Sequence, residues 1–458
     1  MSYNVREVAL NILLQIEKNQ AYSNLLLNQM VKKHNLSPKD VGLLTEIVYG
    51  TVQRKMTLDY YLQPFLEKQK KIELWVTNLL RLSLYQFVYL DRVPERAVIH
   101  EAVEIAKKRG HRGIAGMVNG ILRSVQREGV PELNNIKDPL ERLSIEMSFP
   151  LWLIQKWAAY YGIETTKKIC ESTLEPPKVT ARVNSSKATV EEVISLLEKE
   201  NVKAEKGDLS KDAIVVSKGN ATKTKAFQDG YLTIQDESSM LVASALGPLK
   251  DDTVLDSCAA PGGKTTHIAE LLNNEGKVIS VDLHPHKVKL IDDQVNRLQL
   301  KNVETVVSDS RHLQERFKEG MFDRILVDAP CSGFGVVRRK PDIKYSKKTE
   351  DIPHLADIQL SILNNVAKLL KSDGTLVYST CTIDQEENVD VVKKFLSMNS
   401  QFIIDETLID RMPDKLKPFV KDGRVQILPH YFGTDGFFIT SFRKAGVSNN
   451  GNKTNEEK

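Results

Sequence analysis

The sequence predicts a multidomain chain: an all-α helical bundle, a small α+β domain, and an α/β domain on a mostly parallel sheet with an antiparallel edge strand. Three observations predict it. The first ~130 residues carry apolar positions only at helical period, extended and aromatic stretches begin near Phe149, and from Thr253 short apolar strands alternate with helices. At 458 residues and roughly 150 per domain, about three domains are expected. A composition of 41 % hydrophobic and 27 % charged residues is that of an ordinary globular chain. No run approaches the ~18 apolar residues of a membrane helix. The opening MSYNVREVAL has neither the apolar region nor the cleavage site of a signal peptide, so a cytoplasmic location and no membrane partner are expected.

In chain order, Val5, Val8, Ala9, Ile12, Leu13 and Ile16 fall on one helix face. Asp40–Tyr49, Leu74–Leu90 and Ala97–Lys108 repeat the pattern, separated by breakers at Leu36-Ser37-Pro38, Pro64, Pro94 and Gly110. A string of amphipathic helices buries its stripes by bundling, which defines a domain over 1–140. FPLWLIQKWAAYYG, the extended EPPKVTARVN, the helical VEEVISLLEKENV and the strand AIVVS make a small α+β domain over 145–245. TVLDS, KVISVD, VETVVS, DRILVD and GTLVYST then alternate with helices across 246–444. Continuously apolar strands joined by helices form a parallel sheet covered on both faces. GFFITSFRK, with no crossover helix before it, should pair antiparallel at the edge. The polar tail 445–458 is expected to be disordered.

Net charge is +4, unevenly placed. Residues 1–140 hold 20 Lys+Arg against 14 Asp+Glu, so the remainder is slightly acidic. Arg6, Arg54, Lys55, Arg81, Arg96, Lys107, Lys108, Arg109, Arg112 and Arg123 lie between the apolar positions and suit an anionic partner or a plain solvated surface equally. The four cysteines, Cys170, Cys258, Cys331 and Cys381, form no CxxC pair and match no Cys/His metal spacing. No metal site is expected, and the thiols should be free.

The loop after the first strand of the α/β domain, Asp256-Ser-Cys-Ala-Ala-Pro-Gly-Gly-Lys-Thr-Thr, nearly fits a phosphate-binding loop. That reading needs a glycine where Cys258 stands, and Pro261 removes a donor. The competing reading is a nucleoside site at the carboxyl ends of the strands. Gly262 and Gly263 allow close approach, Asp282 ends the second strand where a carboxylate meets ribose hydroxyls, and Asp309 follows the third. An acidic set of this kind repels a triphosphate and suits a cationic sulfonium nucleoside, S-adenosylmethionine.

Two further strands end in cysteines, Asp328-Ala-Pro-Cys331 and Ser379-Thr-Cys381. A thiolate added to C6 of a pyrimidine makes C5 nucleophilic towards a sulfonium methyl, which is covalent catalysis. The base must be single-stranded or flipped out.

DSCAAPGGKTTH (256–267), DAPCSGFG (328–335), RRKPDIKY (338–345) and YSTCT (378–382) resemble the signature motifs of the RNA cytosine-C5 methyltransferases. VREVALNILLQIE and RAVIHEAVEIAKKRG resemble a NusB-like RNA-binding domain, and the likeness covers about 1–444. It implies a Rossmann-like class I methyltransferase domain and an S-adenosylmethionine-dependent enzyme acting on one cytosine of 16S rRNA, naked or in an early assembly intermediate, with no protein partner implied. By motif, Cys381 would be the nucleophile, Cys331 would assist product release, and Asp328 would meet the cytosine edge. Cys258, Ala259, Ala260, Pro261, Gly262, Gly263, Lys264, Asp282, Asp309 and Asp328 would line the cofactor site. The choice of Cys381 over Cys331 rests on the resemblance, because residue type and spacing leave it open. Thr382 stands where the family commonly has Ser. Arg338, Arg339, Lys340 and Lys344 could neutralise phosphates near the base, and Cys170 reads as packing. A phosphate-loop NTPase and a non-catalytic RNA-binding or antitermination factor are the rival readings.

Overall fold

Among the described residues, the helical periodicity that opens the chain becomes α1 Val5–Asn19, α2 Ser23–His34, α3 Pro38–Gln53, α4 Lys55–Leu66, α5 Leu74–Tyr89, α6 Glu95–Arg109 and α7 Arg112–Glu128, followed by α8 Pro139–Met147, α9 Leu151–Tyr161 and α10 Ile163–Ser172. The computed structural model describes residues 4–19, 23–67 and 72–445; apart from Ala445, the expected tail lies outside them. The chain divides into two units, Met1–Glu175 with Val337–Thr349, and Pro176–Val336 with Glu350–Lys458.

In the first unit the helix ends follow local chemistry. Ser37 caps α3 by accepting from Asp40 N, with Pro38 at the first helical position, and Asp138 caps α8 in the same way ahead of Pro139. Pro64, read as a breaker, lies inside α4 two residues before its end, so it terminates the helix rather than preceding it. Of the predicted stripe, Val8, Ala9, Ile12 and Leu13 are buried, with Val5 and Ile16 packed against them, and Leu44, Ile47, Leu58, Leu79, Leu82, Val118 and Leu122 complete the same core. Helices α9 and α10, in the stretch read as the start of the α+β domain, belong by packing to this unit, as does α8 before them. Their aromatic residues Phe149 and Trp157 are fully buried with ring centroids 5.5 Å apart. Not all of the basic residues reach solvent. Arg81 is buried and clamps Asp59 through Nε (2.6 Å) and Nη2 (2.8 Å), while Lys107, Lys108, Arg112 and Arg123 on α6 and α7 are exposed.

Segment 337–349 is remote in sequence yet packs inside this unit. Lys344 is fully buried; its Nζ donates to the Gln53 carbonyl at 2.8 Å and lies 4.3 Å from the centre of the Phe149 ring. Tyr345 OH donates to the Ser148 carbonyl at 2.9 Å, and Arg338 Nε to the Ser172 carbonyl at 2.8 Å. The expectation that Arg338 and Lys344 neutralise phosphates is therefore corrected. Both are withdrawn from solvent, and the donor atoms that place them are spent on helix C-terminal carbonyls.

The second unit begins with a four-stranded antiparallel sheet of order β2-β3-β1-β4: β1 Val179–Val183, β2 Lys203–Lys206, β3 Ala213–Lys218 and β4 Leu232–Ile234, with α11 Val190–Lys199 and the short α12 Lys225–Gln228. α13 Glu237–Leu246 leads into the main sheet. Its elements are β5 Thr253–Asp256, α14 Gly263–Leu271, β6 Lys277–Asp282, α15 Pro285–Leu298, β7 Val303–Val307 and β8 Phe322–Asp328. The single turn α16 Ile343–Ser346 of the inserted segment follows, then α17 Asp351–Val366, β9 Leu370–Thr380, α18 Val389–Met398, β10 Phe402–Ile404, β11 Val420–Lys421, β12 Arg424–Ile427 and β13 Phe437–Lys444.

The strand order is β11-β12-β13-β9-β8-β5-β6-β7, with β10 also on β13. β5 to β9 are parallel. β13 runs antiparallel to β9 as expected, but β10 and β12 also pair with it, so it is interior rather than the edge. Alternate residues serve opposite faces. Leu255, Ile325, Val327, Leu376 and Tyr378 join α17 and α18 in one core, whereas Val254, Leu326 and Val377 join α13 and α14 in another. Two buried faces explain why the strands read as continuous apolar runs.

β1 reaches this second core through Arg182, which is fully buried. Nε and Nη2 grip the Glu270 carboxylate at 2.9 and 2.8 Å, Nη2 also reaches Thr266 Oγ1 at 3.0 Å, and Nη1 donates to the Gly263 carbonyl at 2.8 Å and to Gln235. The guanidinium thus braces the first turn of α14.

Two outcomes are expected. Arg182→Ala leaves Glu270 buried without its cation and should cost about 3–5 kcal/mol, measured by denaturant unfolding. Burial pushes the Lys344 ammonium down to about 7 from the ordinary value of 10.5. Between these values the unfolded chain binds the extra proton, so Lys344 makes stability rise with pH across that window. In Lys344→Met this part of the slope should vanish, read as the difference between the two proteins' unfolding free energies measured across the window.

Candidate active site

Five parallel strands end on one side of the sheet, and every residue singled out for chemistry apart from the inserted segment lies there. Across the sheet in the order β9, β8, β5, β6, β7 the strand ends carry Cys381, then Asp328 and Cys331, then the loop 257–262, then Asp282, then Asp309. Open parallel sheets place their ligand sites at this end.

The loop after β5 turns inward. Ala259 N donates to the Val281 carbonyl at 2.9 Å and Gly262 N to the Ala259 carbonyl at 2.8 Å. Gly262 has φ +101°, and a Cβ there would stand 3.2 Å from the Ile291 backbone, so only glycine lets α14 start this close to α15. The preceding Ala260–Pro261 peptide is cis. With these amides engaged the loop is not a phosphate cradle. Lys264, which would reach phosphates in that reading, is committed elsewhere.

Four carboxylates mark the strand ends, each held differently. Asp256 is fully buried; Oδ2 accepts from Thr265 Oγ1 at 2.7 Å, and Oδ1 has no hydrogen-bond partner. Burial raises it to about 7. Asp282 takes two long contacts, from Ala260 N and His284 N, both at 3.3 Å. A carboxylate offers about four lone-pair sites, so Asp282 retains capacity for a diol. Asp309 is gripped by Arg311 at 2.6 Å on a half-exposed rim, and that hydrogen bond holds its carboxyl below the usual range. Asp328 is shared between Lys264 Nζ at 2.7 Å and Ser379 Oγ at 2.8 Å. Burial alone would lower the Lys264 ammonium, but Asp328 first, with Cys381 and Asp256 beside it, raises it overall. The strand ends are thus rich in carboxylates, with spare acceptor capacity at Asp282, which fits a cationic nucleoside and opposes a triphosphate.

Cys331 and Cys381 follow neighbouring strands, with their sulfurs 3.4 Å apart. The backbone behind them is tightly closed. Gly335 N donates to the Cys381 carbonyl at 2.9 Å and Gly436 N to the Gly335 carbonyl at 2.8 Å. A Cβ on Gly335 would lie 2.0 Å from Gly436 O, which is the physical reason for the second glycine of DAPCSGFG. The Cys331 thiol is pushed well up, first by its hydrogen bond to Cys381 and then by burial. Burial likewise raises the Cys258 thiol in the loop. Cys170 is buried in α10 of the other unit.

Two residues that frame the site, Glu387 and Gln359, lie outside the strand-end motifs. Glu387 is fully buried and accepts from Ser332 N at 2.8 Å, Ser332 Oγ at 2.5 Å and Gln359 Nε2 at 3.0 Å. Gln359 Nε2 also donates to the Pro330 carbonyl at 2.9 Å. The one available hint was a glutamine on the apolar face of α17, between Ala356 and Ile362, where burial demands a partner. Among the described residues no helix is long and apolar enough to cross a membrane, and no group of three or more His, Cys, Asp or Glu is placed to hold a metal.

Residues 243–443 match the family described as 16S rRNA methyltransferase RsmB/F, 3–127 the NusB family, and 149–223 the RsmF/B-like ferredoxin-like domain. The chain is 57 % identical over 443 residues to a probable ribosomal RNA small subunit methyltransferase B of Bacillus subtilis, covering 97 % of this chain and 99 % of that one. Among solved structures, PH0851 aligns with TM-score 0.82 at 26 % identity, over 97 % of this chain and 100 % of its own. NSun6 from Pyrococcus horikoshii with SFG aligns with TM-score 0.56 at 25 % identity, over 63 % of this chain and 97 % of its own. Identity this high along nearly the whole length, with the helical, ferredoxin-like and catalytic segments in the same order, shows that the chain belongs to the 16S rRNA methyltransferase RsmB/F family.

Proposed function

We propose that the protein methylates carbon 5 of a cytosine in 16S rRNA through a covalent adduct between Cys381 and C6 of the base. The observation that carries this is the pair of strand-end thiols 3.4 Å apart beside a carboxylate-lined nucleoside loop. A methyl transfer to nitrogen or oxygen has no use for such a pair. Addition to a pyrimidine ring followed by elimination has a use for both.

S-adenosylmethionine supplies the methyl group as an electrophilic sulfonium. The chain's own residues would hold it: the loop Cys258–Lys264 would border the nucleoside, Asp282 would accept from the ribose hydroxyls, and Asp309 would meet the adenine edge. Asp328 addresses the N3/N4 edge of the cytosine. The Cys381 thiolate forms a bond to C6, and the C5–C6 electron pair becomes available at C5. C5 would then bond to the methyl carbon as that carbon's bond to the donor sulfur breaks, the donor leaving as a neutral thioether. The C5 proton passes to solvent, its electron pair restores the ring double bond, the C6–sulfur bond breaks and the thiolate is regenerated. Cys331, within thiol contact of Cys381, serves this release step. Splitting one hard substitution into addition and elimination is the gain from covalent catalysis. The exposed cations of α6 and α7 supply phosphate contacts for the RNA.

The test uses unmodified small-subunit rRNA with methyl-labelled S-adenosylmethionine. Wild-type protein should place label in 5-methylcytosine, and Cys381→Ala should transfer none while still binding RNA. Cys331→Ala should accumulate an RNA–protein band on denaturing gels; normal turnover without that band would sink its assigned role. Asp282→Asn, by weakening a charge-assisted contact, should reduce affinity for the methyl donor about tenfold, read by calorimetry.

A further inference from the structure

The two thiols are alike in chemistry, 3.4 Å apart, and one proton lies between them when a single thiolate forms. Which sulfur keeps it is decided by the groups around the pair. On the Cys331 side stands Glu387, fully buried. Its carboxylate accepts from the backbone N–H and hydroxyl of Ser332, the residue after Cys331. Ser332 Oγ lies 2.8 Å from Thr382 Oγ1, the residue after Cys381. A carboxylate only accepts, so with Glu387 ionised the chain of hydrogen bonds runs from the Thr382 hydroxyl to the Ser332 hydroxyl to Glu387. Gln359 Nε2 closes the frame by bonding both Glu387 and the Pro330 carbonyl, one residue before Cys331. Tyr378 OH donates to the Glu387 backbone carbonyl at 2.5 Å and lies 3.1 Å from Gln359 Oε1. The Cys331 backbone is thus gripped on both sides, through one glutamine and one carboxylate.

The charges are arranged asymmetrically. Cys331 feels the negative field of Glu387, whose own carboxyl is pushed up by burial first and by Asp384 on the same segment, against the Ser332 and Gln359 hydrogen bonds that favour its ionised form. Cys381 feels the Lys264 ammonium from α14. Asp328 from β8 tempers that ammonium, and neither Cys258 in the loop nor Tyr378 on β9 brings positive charge. A negative group behind one sulfur and a positive group near the other break the symmetry of the pair.

We propose that Glu387 is a positioning residue that keeps the proton on Cys331 and so makes Cys381 the thiolate of the pair. Through Ser332 and Thr382 it also sets the separation of the two sulfurs. This rests on the reading of Cys381 as the nucleophile. It supplies the physical reason for a choice that residue type and spacing leave open.

The experiment needs neither RNA nor methyl donor. Full-length protein is alkylated with iodoacetamide from about pH 6 to about pH 9, a span that brackets ordinary thiol ionisation. Peptide mass spectrometry then gives separate rates for Cys331 and Cys381. In the wild type Cys381 should react faster throughout. In Glu387→Gln, which keeps the shape and removes the charge, the Cys381:Cys331 rate ratio should fall about tenfold, the effect of one unit in relative thiol ionisation. A ratio within about twofold of wild type, in a variant with an unchanged unfolding midpoint, overturns the proposal. Wild-type protein labelled first at Cys331 would instead overturn the reading of Cys381 as nucleophile. If Glu387→Gln does not fold, Glu387→Asp decides. It retains the charge, so preserved selectivity supports the role and equal labelling of the two thiols refutes it.

Discussion

The parallel pairing of β8 with β9 is the constraint on which the site depends. Val327 and Asp328 stand in register with Tyr378 and Ser379, and neighbouring strands are about 4.8 Å apart. Two chain segments fifty residues apart are therefore delivered to the same point at their carboxyl ends. Ala329 N continues the ladder to the Ser379 carbonyl, and Gly335 N then returns to the Cys381 carbonyl. A slip of one residue would turn every side chain of one strand to the wrong face. The register is locked by the two cores, with Val327 and Tyr378 committed to one face and Leu326 and Val377 to the other. Packing on both faces of the sheet is what holds two sulfurs within contact.

The same edge concentrates negative charge, and the fold keeps each carboxylate by a different means. Asp256 is buried at the cost of a raised proton affinity, Asp282 leans on backbone amides, Asp309 on Arg311 and Asp328 on Lys264. Only Asp328 among them is neutralised by a largely buried cation. The edge keeps an acidic character suited to a sulfonium nucleoside, while Cys381 lies within the field of the Lys264 ammonium. Arg182 contributes from outside the sheet. By spending its donors on α14 and its surroundings, it makes the small antiparallel sheet a support for the first turn after the loop.

Much of this was legible from residue order. Helices α1, α3, α5 and α6 follow the 3.6-residue apolar stripe, and the five parallel strands read as apolar runs because both of their faces are covered. The short strands β10–β12 escaped, since two to four residues carry no period and their pairing with β13 is antiparallel and non-local. Arg338 and Lys344 were read as phosphate ligands because a cluster of cations in a loop normally faces water. Their burial against carbonyls of α3 and α8–α10 is a tertiary fact with no local signature. The Glu387–Ser332–Thr382 chain is hidden for the same reason, Ser332 lying some fifty residues from the other two.

Sequence alone determined the domain types, the chemistry available at the strand ends and the family, because each is encoded in local period or in contiguous motifs. What only the tertiary structure decided is which of those groups meet. The contact between Cys331 and Cys381, the commitment of Lys264 to Asp328, the bracing of α14 by Arg182 and the placement of Glu387 behind Cys331 all depend on strand register and side-chain packing. These distances are set by long-range burial, which a single chain of letters does not display.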